Sequence, residues 1–255
     1  MNFSILDWNI QGTKYYTSTN LKKIIPYLEK SKADIFCLQE AQELREKIQI
    51  FSKLREFNRV FSKDVHNRNI ILSKFPIISS GELIFPQFKR TPLERALWAD
   101  IEIEGKIIRI YNCHFEIVGV GPKERINQLK FVLEHSKQYR EPVIICGDMN
   151  TTIPSFGIKR KIVQWFHKES NESLLLDGKH FYSDERYVFF DVAKQEGFCE
   201  AIDILKTTWC IPPFGWEIFK LKLDWFLVRG IKMPNIHLGN YISDHRSVFA
   251  EWSDN

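Results

Sequence analysis

The sequence predicts an α/β chain of the α+β kind, with sheet-forming segments at both ends and amphipathic helices between them. Two observations carry that prediction. Short apolar or alternating runs recur along the chain far more often than long helical periodicity. No Ser/Gly-rich linker, composition break or internal repeat divides the 255 residues, so one continuous domain over residues 1–255 is expected. Hydrophobic residues at 44% and charged residues at 27% match an ordinary globular protein, which removes the collagen-like, low-complexity and disordered classes.

In chain order, Asn2 to Asn9, Asp34 to Gln39, Asn69 to Ser73 and Ile77 to Phe85 read as strands bounded by polar or turn residues. The segment WADIEIEGKIIRIYNCHF then alternates on both sides of Glu104-Gly105, predicting a hairpin of Arg95 to Ile103 with Lys106 to His114. Pro142 to Cys146, Leu221 to Arg229 and Ser247 to Trp252 complete the strands. A helix over Glu124 to Lys137 follows from Ile126, Leu129, Val132 and Leu133 at helical spacing, with Pro122 near its start. Leu21, Ile24, Ile25 and Leu28 share that spacing, and Pro26 among them predicts a kink. Ile158 to Lys168 reads as a basic, aromatic helix, and the polar stretch Asn171 to Arg186 as a loop.

Charge decides little, since 36 Lys and Arg against 32 Asp and Glu leave +4, which permits an anionic partner without requiring one. Five cysteines is an odd number, and Cys37, Cys113 and Cys146 lie in apolar runs where a small hydrophobe serves, so a reducing, cytoplasmic setting is expected. The first residues carry Asp7 inside their apolar stretch and no basic leader, unlike a signal peptide. No apolar run approaches the roughly 18 residues of a membrane span. A monomer is the expected state.

The chemistry gathers where strands end. Asn9 in LDWNIQG, Glu40 in FCLQEAQ, His114 in YNCHFE, Asp148 and Asn150 in CGDMN, Asp224 in KLDWFLV and Asp244-His245 in ISDHRSVF each interrupt an apolar strand with a carboxylate, amide or imidazole. Strand termini are where a rigid sheet can hold reactive groups in place. Carboxylates with amide oxygens suit a hard cation such as Mg²⁺, with Mn²⁺ equally compatible, and the absence of Cys-x-x-Cys or His-Glu-x-x-His argues against zinc. Glu40, Asp148 and Asp244 brought together would repel one another unless a cation or histidine neutralised them. Neither a Gly-x-Ser-x-Gly elbow nor a phosphate-cradling glycine loop is present, so serine-hydrolase, nucleoside-triphosphate and dinucleotide readings lack their core element.

In order and spacing, LDWNIQG, LQEA, NCHFE, GDMN, LDWF and SDH resemble the signatures of the endonuclease/exonuclease/phosphatase superfamily, in its deoxyribonuclease-like and sphingomyelinase-like branch. The resemblance spans Asn9 to His245. It implies a four-layer α/β/β/α sandwich, two mostly antiparallel sheets flanked by helices, with the site at one edge. It also implies metal-assisted attack of water on phosphorus. By that resemblance Asn9, Glu40 and Asp244 are the metal residues, and the catalytic residues are His114, Asp148, Asn150, Asp224 and His245. Asp148 would orient or deprotonate the water, Asn150 would hold phosphate or water in line, and His245 would donate to a phosphate oxygen while Asp224 fixes its tautomer. His114 separates this chain from exonuclease III-like repair nucleases, and its partner carboxylate is left open between Glu94 and Glu116. Gln11 stands where exonuclease III-like members carry an acid, which leaves one or two metals undecided.

The remaining polar residues have ordinary readings. His66, His135, His167, His180 and His237 are expected to be structural, Asp7, Asp34 and Asp203 to cap or solvate strand ends, and Asp100 to lie on an exposed strand face. Arg125, after the turn GVGPKER, is a candidate phosphate contact, as are Lys89-Arg90 and Lys159-Arg160-Lys161, although a short basic cluster is usually a solvated face, and the basic-aromatic Ile158 to His167 is the candidate for substrate discrimination. Trp165, Phe166, Trp209, Phe214, Trp216 and Phe219 belong in a core more readily than on a base-stacking face. Three functions follow: a nucleic-acid phosphodiesterase first, a phosphatase or phospholipase-type hydrolase of a phospholipid, inositol phosphate or other small phosphoester second, and a non-catalytic binding module third.

Overall fold

Buried side chains alternate along the first strand: Phe3 and Ile5 turn to one face, Leu6 and Trp8 to the other, so this strand is covered on both sides. The computed structural model describes residues 1–10, 21–48, 53–63, 68–85, 95–116, 122–140, 142–151, 185–210 and 220–253. Its strands are β1 (Phe3–Asn9), β2 (Ile35–Gln39), β3 (Asn58–Phe61), β4 (Ile70–Ser73), β5 (Ile77–Ile84), β6 (Arg95–Ile103), β7 (Lys106–His114), β8 (Val143–Asp148), β9 (Cys199–Glu200), β10 (Trp209–Cys210), β11 (Lys220–Leu221), β12 (Asp224–Arg229), β13 (Asn235–Tyr241) and β14 (Arg246–Trp252). The helices are α1 (Leu21–Ser31), α2 (Gln42–Lys47), α3 (Pro122–Ser136) and α4 (Glu185–Gln195).

Two six-stranded sheets result, in the orders β13-β14-β1-β2-β4-β3 and β5-β6-β7-β8-β12-β9, with β10 and β11 as a separate ribbon. Within each sheet one neighbouring pair runs parallel, β1 with β2 and β7 with β8, and helices α1 and α3 make those crossovers. Ile5, Ile35, Ile71, Ile101, Ile110, Ile144 and Phe226 fill the space between the sheets, all fully buried, and each such side chain contributes roughly 1.5–3 kcal/mol. Ile24 and Leu28 of α1 cover the outer face of the first sheet, while Leu129, Val132 and Leu133 of α3 and Phe189 of α4 cover the second. The four layers expected from the sequence are therefore present.

Most boundaries agree with the sequence reading, and the differences have physical causes. Helix α1 runs on through Pro26, whose ring lies on the exposed face. Strand β8 continues to Asp148 because Gly147 and Asp148 pair with Cys113 and His114 on one side and with Trp225 and Asp224 on the other. The strand expected from Leu221 breaks at Lys222-Leu223 into β11 and β12. The half-exposed edge strands β3 and β13 and the two-residue β9 carry too little apolar pattern to announce themselves. The loop expected to Arg186 gives way to α4 at Glu185, whose buried carboxylate takes two hydrogen bonds from the buried Arg125 at 2.7 and 2.8 Å. That pair corrects Arg125 as a phosphate contact: it is an internal tie between α3 and α4. The helix expected over Ile158 to Lys168, and Lys89-Arg90, lie outside the described residues. Among the described residues no helix is long and apolar enough to cross a membrane.

Candidate active site

The parallel pairing brings the carboxyl ends of β1, β2, β7 and β8 to one edge of the sandwich, where antiparallel β12 and β14 begin. Register sets the neighbours there: Asn9 lies beside Gln39, His114 beside Asp148, and Asp148 beside Asp224. The inward rows that are apolar in mid-strand, such as Ile5, Ile110, Ile144 and Phe226, turn polar at this edge as Asn9, His114, Asp148 and Asp224. Glu40 follows β2 with φ at 52° and Asn150 follows β8 with φ at 49°. Left-handed backbone is unusual for non-glycine residues and costs on the order of 1–3 kcal/mol, and here it falls on two residues at the same edge.

Asp148 is the hub. Its Oδ2 accepts from Asn9 Nδ2 at 2.9 Å and stands 3.5 Å from His245 Nε2 and 3.8 Å from His114 Nε2. Its Oδ1 accepts from the backbone N–H of Asn150 at 2.9 Å. Asn9 Nδ2 also reaches Glu40 Oε1 at 3.3 Å, and His114 Nε2 lies 3.9 Å from the same oxygen. The carboxylates facing His114 in these contacts are thus Glu40 and Asp148, while Glu94 lies outside the described residues. Asn150 Nδ2 donates to Phe115 O at 2.9 Å, tying the ends of β7 and β8 together. His245 is held from behind, its Nδ1 2.9 and 3.1 Å from the two oxygens of Asp224, both residues buried.

Burial disfavours a charged His245, yet the carboxylates of Asp224 and Asp148, the Asp224 hydrogen bond and Asp244 overcome it and hold the imidazolium well above its usual range. Asp244 shows the opposite strain. Burial pushes its pKa up, His245 and the Trp209 N–H pull it down, Glu40 and Asp148 push it up again, and it stands at about 6. Asp244 thus feels the negative charges of both Glu40 and Asp148 across the site. Asp244 Oδ2 accepts from Trp209 Nε1 at 2.9 Å, and its buried Oδ1 has no hydrogen-bond partner among the described residues. An orphaned, buried carboxylate oxygen beside two further acids fits a hard cation. Asn9 meets those acids through its nitrogen, so service as an oxygen ligand requires its amide turned over. Asp148, Asp224 and His245 also offer ligand atoms within 4.8 Å of one another, although a cation there would compete with the Asp224–His245 hydrogen bond.

Several supporting residues escaped the sequence reading. Ser243 Oγ donates to Asn9 O at 2.8 Å and accepts from His245 N and Trp8 Nε1 at 3.0 and 3.1 Å, so it fixes the SDH turn against β1. The serine preceding Asp244-His245 is the one signal that could have revealed it. Trp209, weighed above as a core or stacking residue, holds Asp244. Asp7, expected at a solvated strand end, is buried between the sheets, where Gln39 Nε2 donates to it at 2.8 Å and to Asn112 Oδ1 at 2.7 Å. Burial, with the nearby Asp224 and Asp148, raises the Asp7 pKa well above the carboxylate range against the pull of Gln39. Asp100, expected on an open face, pairs with the buried Arg109, whose guanidinium packs against Trp98 and Tyr139. His135 is structural as expected, its Nδ1 2.7 Å from Tyr111 Oη, while His66, His167 and His180 lie outside the described residues.

The profile of the Endonuclease/Exonuclease/phosphatase family matches residues 8–245. No curated protein matches the sequence. Among solved structures, a humanized D. rerio TDP2 carrying 14 mutations is similar at a TM-score of 0.71 and 18% identity over 99% of each chain. D. rerio TDP2 complexed with a single-strand DNA product is similar at 0.67 and 17% identity over 98% of each chain. An endonuclease/exonuclease/phosphatase from Bacteroides vulgatus reaches 0.72 at 15% identity, again over 98% of each chain. At such identities the likeness is one of fold, and it places the two sheets and their flanking helices in the same architecture.

Proposed function

The chain belongs to the Endonuclease/Exonuclease/phosphatase family and is a phosphoester hydrolase, and from that premise we propose that it is a Mg²⁺-dependent phosphodiesterase acting on nucleic acid. The carrying observation is the buried Asp224–His245 pair with Nε2 turned toward Asp148, beside the acids Glu40 and Asp244. Glu40 and Asp244, with Asn9 once its amide is turned over, would hold the cation, which when bound would polarise phosphate oxygens and offset the crowded negative charge. Asp148 accepts the proton of the attacking water, its Oδ1 fixed by the backbone N–H of Asn150. The imidazolium of His245 donates from Nε2 to a non-bridging phosphate oxygen as charge builds in the transition state. Asp224 keeps that ring charged and oriented from the other side. His114, facing Glu40 and Asp148, donates to the phosphate or to the departing oxygen. The nucleic-acid preference draws support from the DNA product in the similar D. rerio TDP2 structure.

Mg²⁺-dependent hydrolysis of plasmid DNA, single-stranded DNA, RNA, a phosphodiester chromogen, a phosphomonoester and phospholipid vesicles tests the reading. His245→Gln, whose amide can still donate to Asp224, is the control. Cleavage of nucleic acid that disappears in the control is expected. Turnover confined to the phosphomonoester or the vesicles replaces the substrate class, and no turnover on any substrate refutes the catalytic reading.

A further inference from the structure

The Asp224–His245 pair bridges two sheets, since Asp224 opens β12 in one and His245 precedes β14 in the other. Its hydrogen bond therefore depends on how the sheets are held relative to each other at this edge, and a productive pair tolerates only about 0.5 Å of error. One fully buried residue makes the connection. Thr208 Oγ1 accepts from the backbone N–H groups of Leu223 and Asp224 at 3.1 and 3.0 Å. Its backbone N–H donates to Leu221 O at 2.9 Å, and its carbonyl accepts from Arg246 N at 2.7 Å. The side chain thus grips the start of β12 while the main chain grips the start of β14. The next two residues continue the bracket: Trp209 Nε1 donates to Asp244 Oδ2 and Cys210 N to Asp244 O at 3.0 Å.

We propose that Thr208 is a positioning residue for the reaction, whose hydroxyl sets Asp224 in line with His245 and so controls the orientation of the imidazolium. The inference rests on the hydrolase reading above for its kinetic consequence, but its structural half stands apart from it. The physical reason is local. Leu223 and Asp224 lie where β11 gives way to β12, and Oγ1 of Thr208 replaces the ladder acceptor that their N–H groups lack at this break. Without that oxygen two buried donors lose their acceptor, and the segment carrying Asp224 must shift to find another.

Thr208→Val keeps the shape and removes the hydroxyl, whereas Thr208→Ser keeps the hydroxyl. Two quantities are read for each: kcat and KM on the phosphodiester chromogen with Mg²⁺, and the downfield proton resonance of His245 Nδ1–H, assigned by its loss in His245→Gln. Thr208→Val is expected to lower kcat about 10- to 100-fold with KM nearly unchanged, and to shift or broaden the resonance. Thr208→Ser should recover most of both. If Thr208→Val does not unfold cooperatively, Thr208→Ala takes its place with the same outcomes. Wild-type kcat and resonance in the hydroxyl-less variant overturn the proposal, and so does a Thr208→Ser loss as deep as that of Thr208→Val. Should the wild type cleave nothing, the hydrolase reading falls, and the resonance alone decides whether Thr208 positions His245.

Discussion

Replacing Gly147 with alanine tests how the site is built into the second sheet. Gly147 sits at φ 131° within β8, opposite Cys113 of β7 in the parallel ladder, one residue before Asp148. A Cβ added there would fall well inside contact of the Cys113 carbonyl oxygen and 2.8 Å from the Cys113 nitrogen. Both neighbours are backbone, so no rotamer change relieves the clash. Strained φ costs on the order of 1–3 kcal/mol, and overpacking typically another 1–3 kcal/mol. The middle of that range, about 4 kcal/mol, is a large part of the 5–15 kcal/mol of a typical domain and corresponds to a fall of roughly 8–16 °C in Tm. Whatever protein remains folded must part β7 from β8 and so separate His114 from Asp148, lowering kcat. Gly105→Ala is the control: its φ is also positive at 76°, in the Glu104-Gly105 turn, but a Cβ there meets nothing within 4 Å. It should lose only about 1–2 kcal/mol, the conformational cost alone. Thermal unfolding by circular dichroism, with turnover measured alongside, decides the matter. A Tm for Gly147→Ala within about 2 °C of the wild type, or no lower than that of Gly105→Ala, refutes the argument.

Other expectations concern the site and its surroundings. Asp148→Asn should lower kcat by at least about two orders of magnitude while the protein still folds with a moderately lower Tm, because its single amide oxygen can keep the hydrogen bond from Asn150 N while its nitrogen then faces the Asn9 amide nitrogen. His245→Ala should lose turnover as deeply and also destabilise the fold by about 3–5 kcal/mol, since it strands the buried Asp224 carboxylate. Adding Asp224→Asn should restore much of that stability, read by urea unfolding, and none of the turnover. Glu40→Gln should raise the Mg²⁺ concentration needed for half-maximal activity, and an unaltered metal titration removes Glu40 from the coordination shell. Burial, then the charge of Arg109, depresses the His135 pKa in the folded state against the pull of Asp100. The unfolded ring binds protons more readily, so its contribution to stability is present above the unfolded pKa of about 6.5 and is lost as pH falls below it. His135→Gln should therefore flatten the decline in urea midpoint between about pH 7 and pH 5, and parallel curves for variant and wild type contradict the assignment.

Much of the architecture was legible because the signals are local. Alternation over residues flanking Glu104-Gly105 announced the β6–β7 hairpin, and helical spacing over Ile126 to Leu133 announced α3. What was not legible involves polar residues whose partners are distant in sequence. Asp7 reads as a strand-end acid until Gln39 and Asn112 are folded against it. Arg125 reads as a surface cation until Glu185, 60 residues away, encloses it. Asp100 reads as exposed until Arg109 is wedged between aromatic rings.

The same division holds at the site. Residue types, order along the chain and placement at strand ends were determined by the sequence itself, because a strand's apolar run ends where its last inward position becomes polar, and that change can be read directly from Asn9, Glu40, His114, Asp148, Asp224 and His245. Which of these groups face one another was decided only by the tertiary structure. The parallel pairing of β7 with β8 set His114 beside Asp148, left-handed backbone turned up at Glu40 and Asn150 at the same edge, and a threonine with no motif of its own joined two sheets beneath the Asp224–His245 pair. Local physics specifies what each segment can become, but the hydrogen bonds and charge pairs around the site span separations of up to 237 residues here, as between Trp8 and His245, and exist only once the chain has folded.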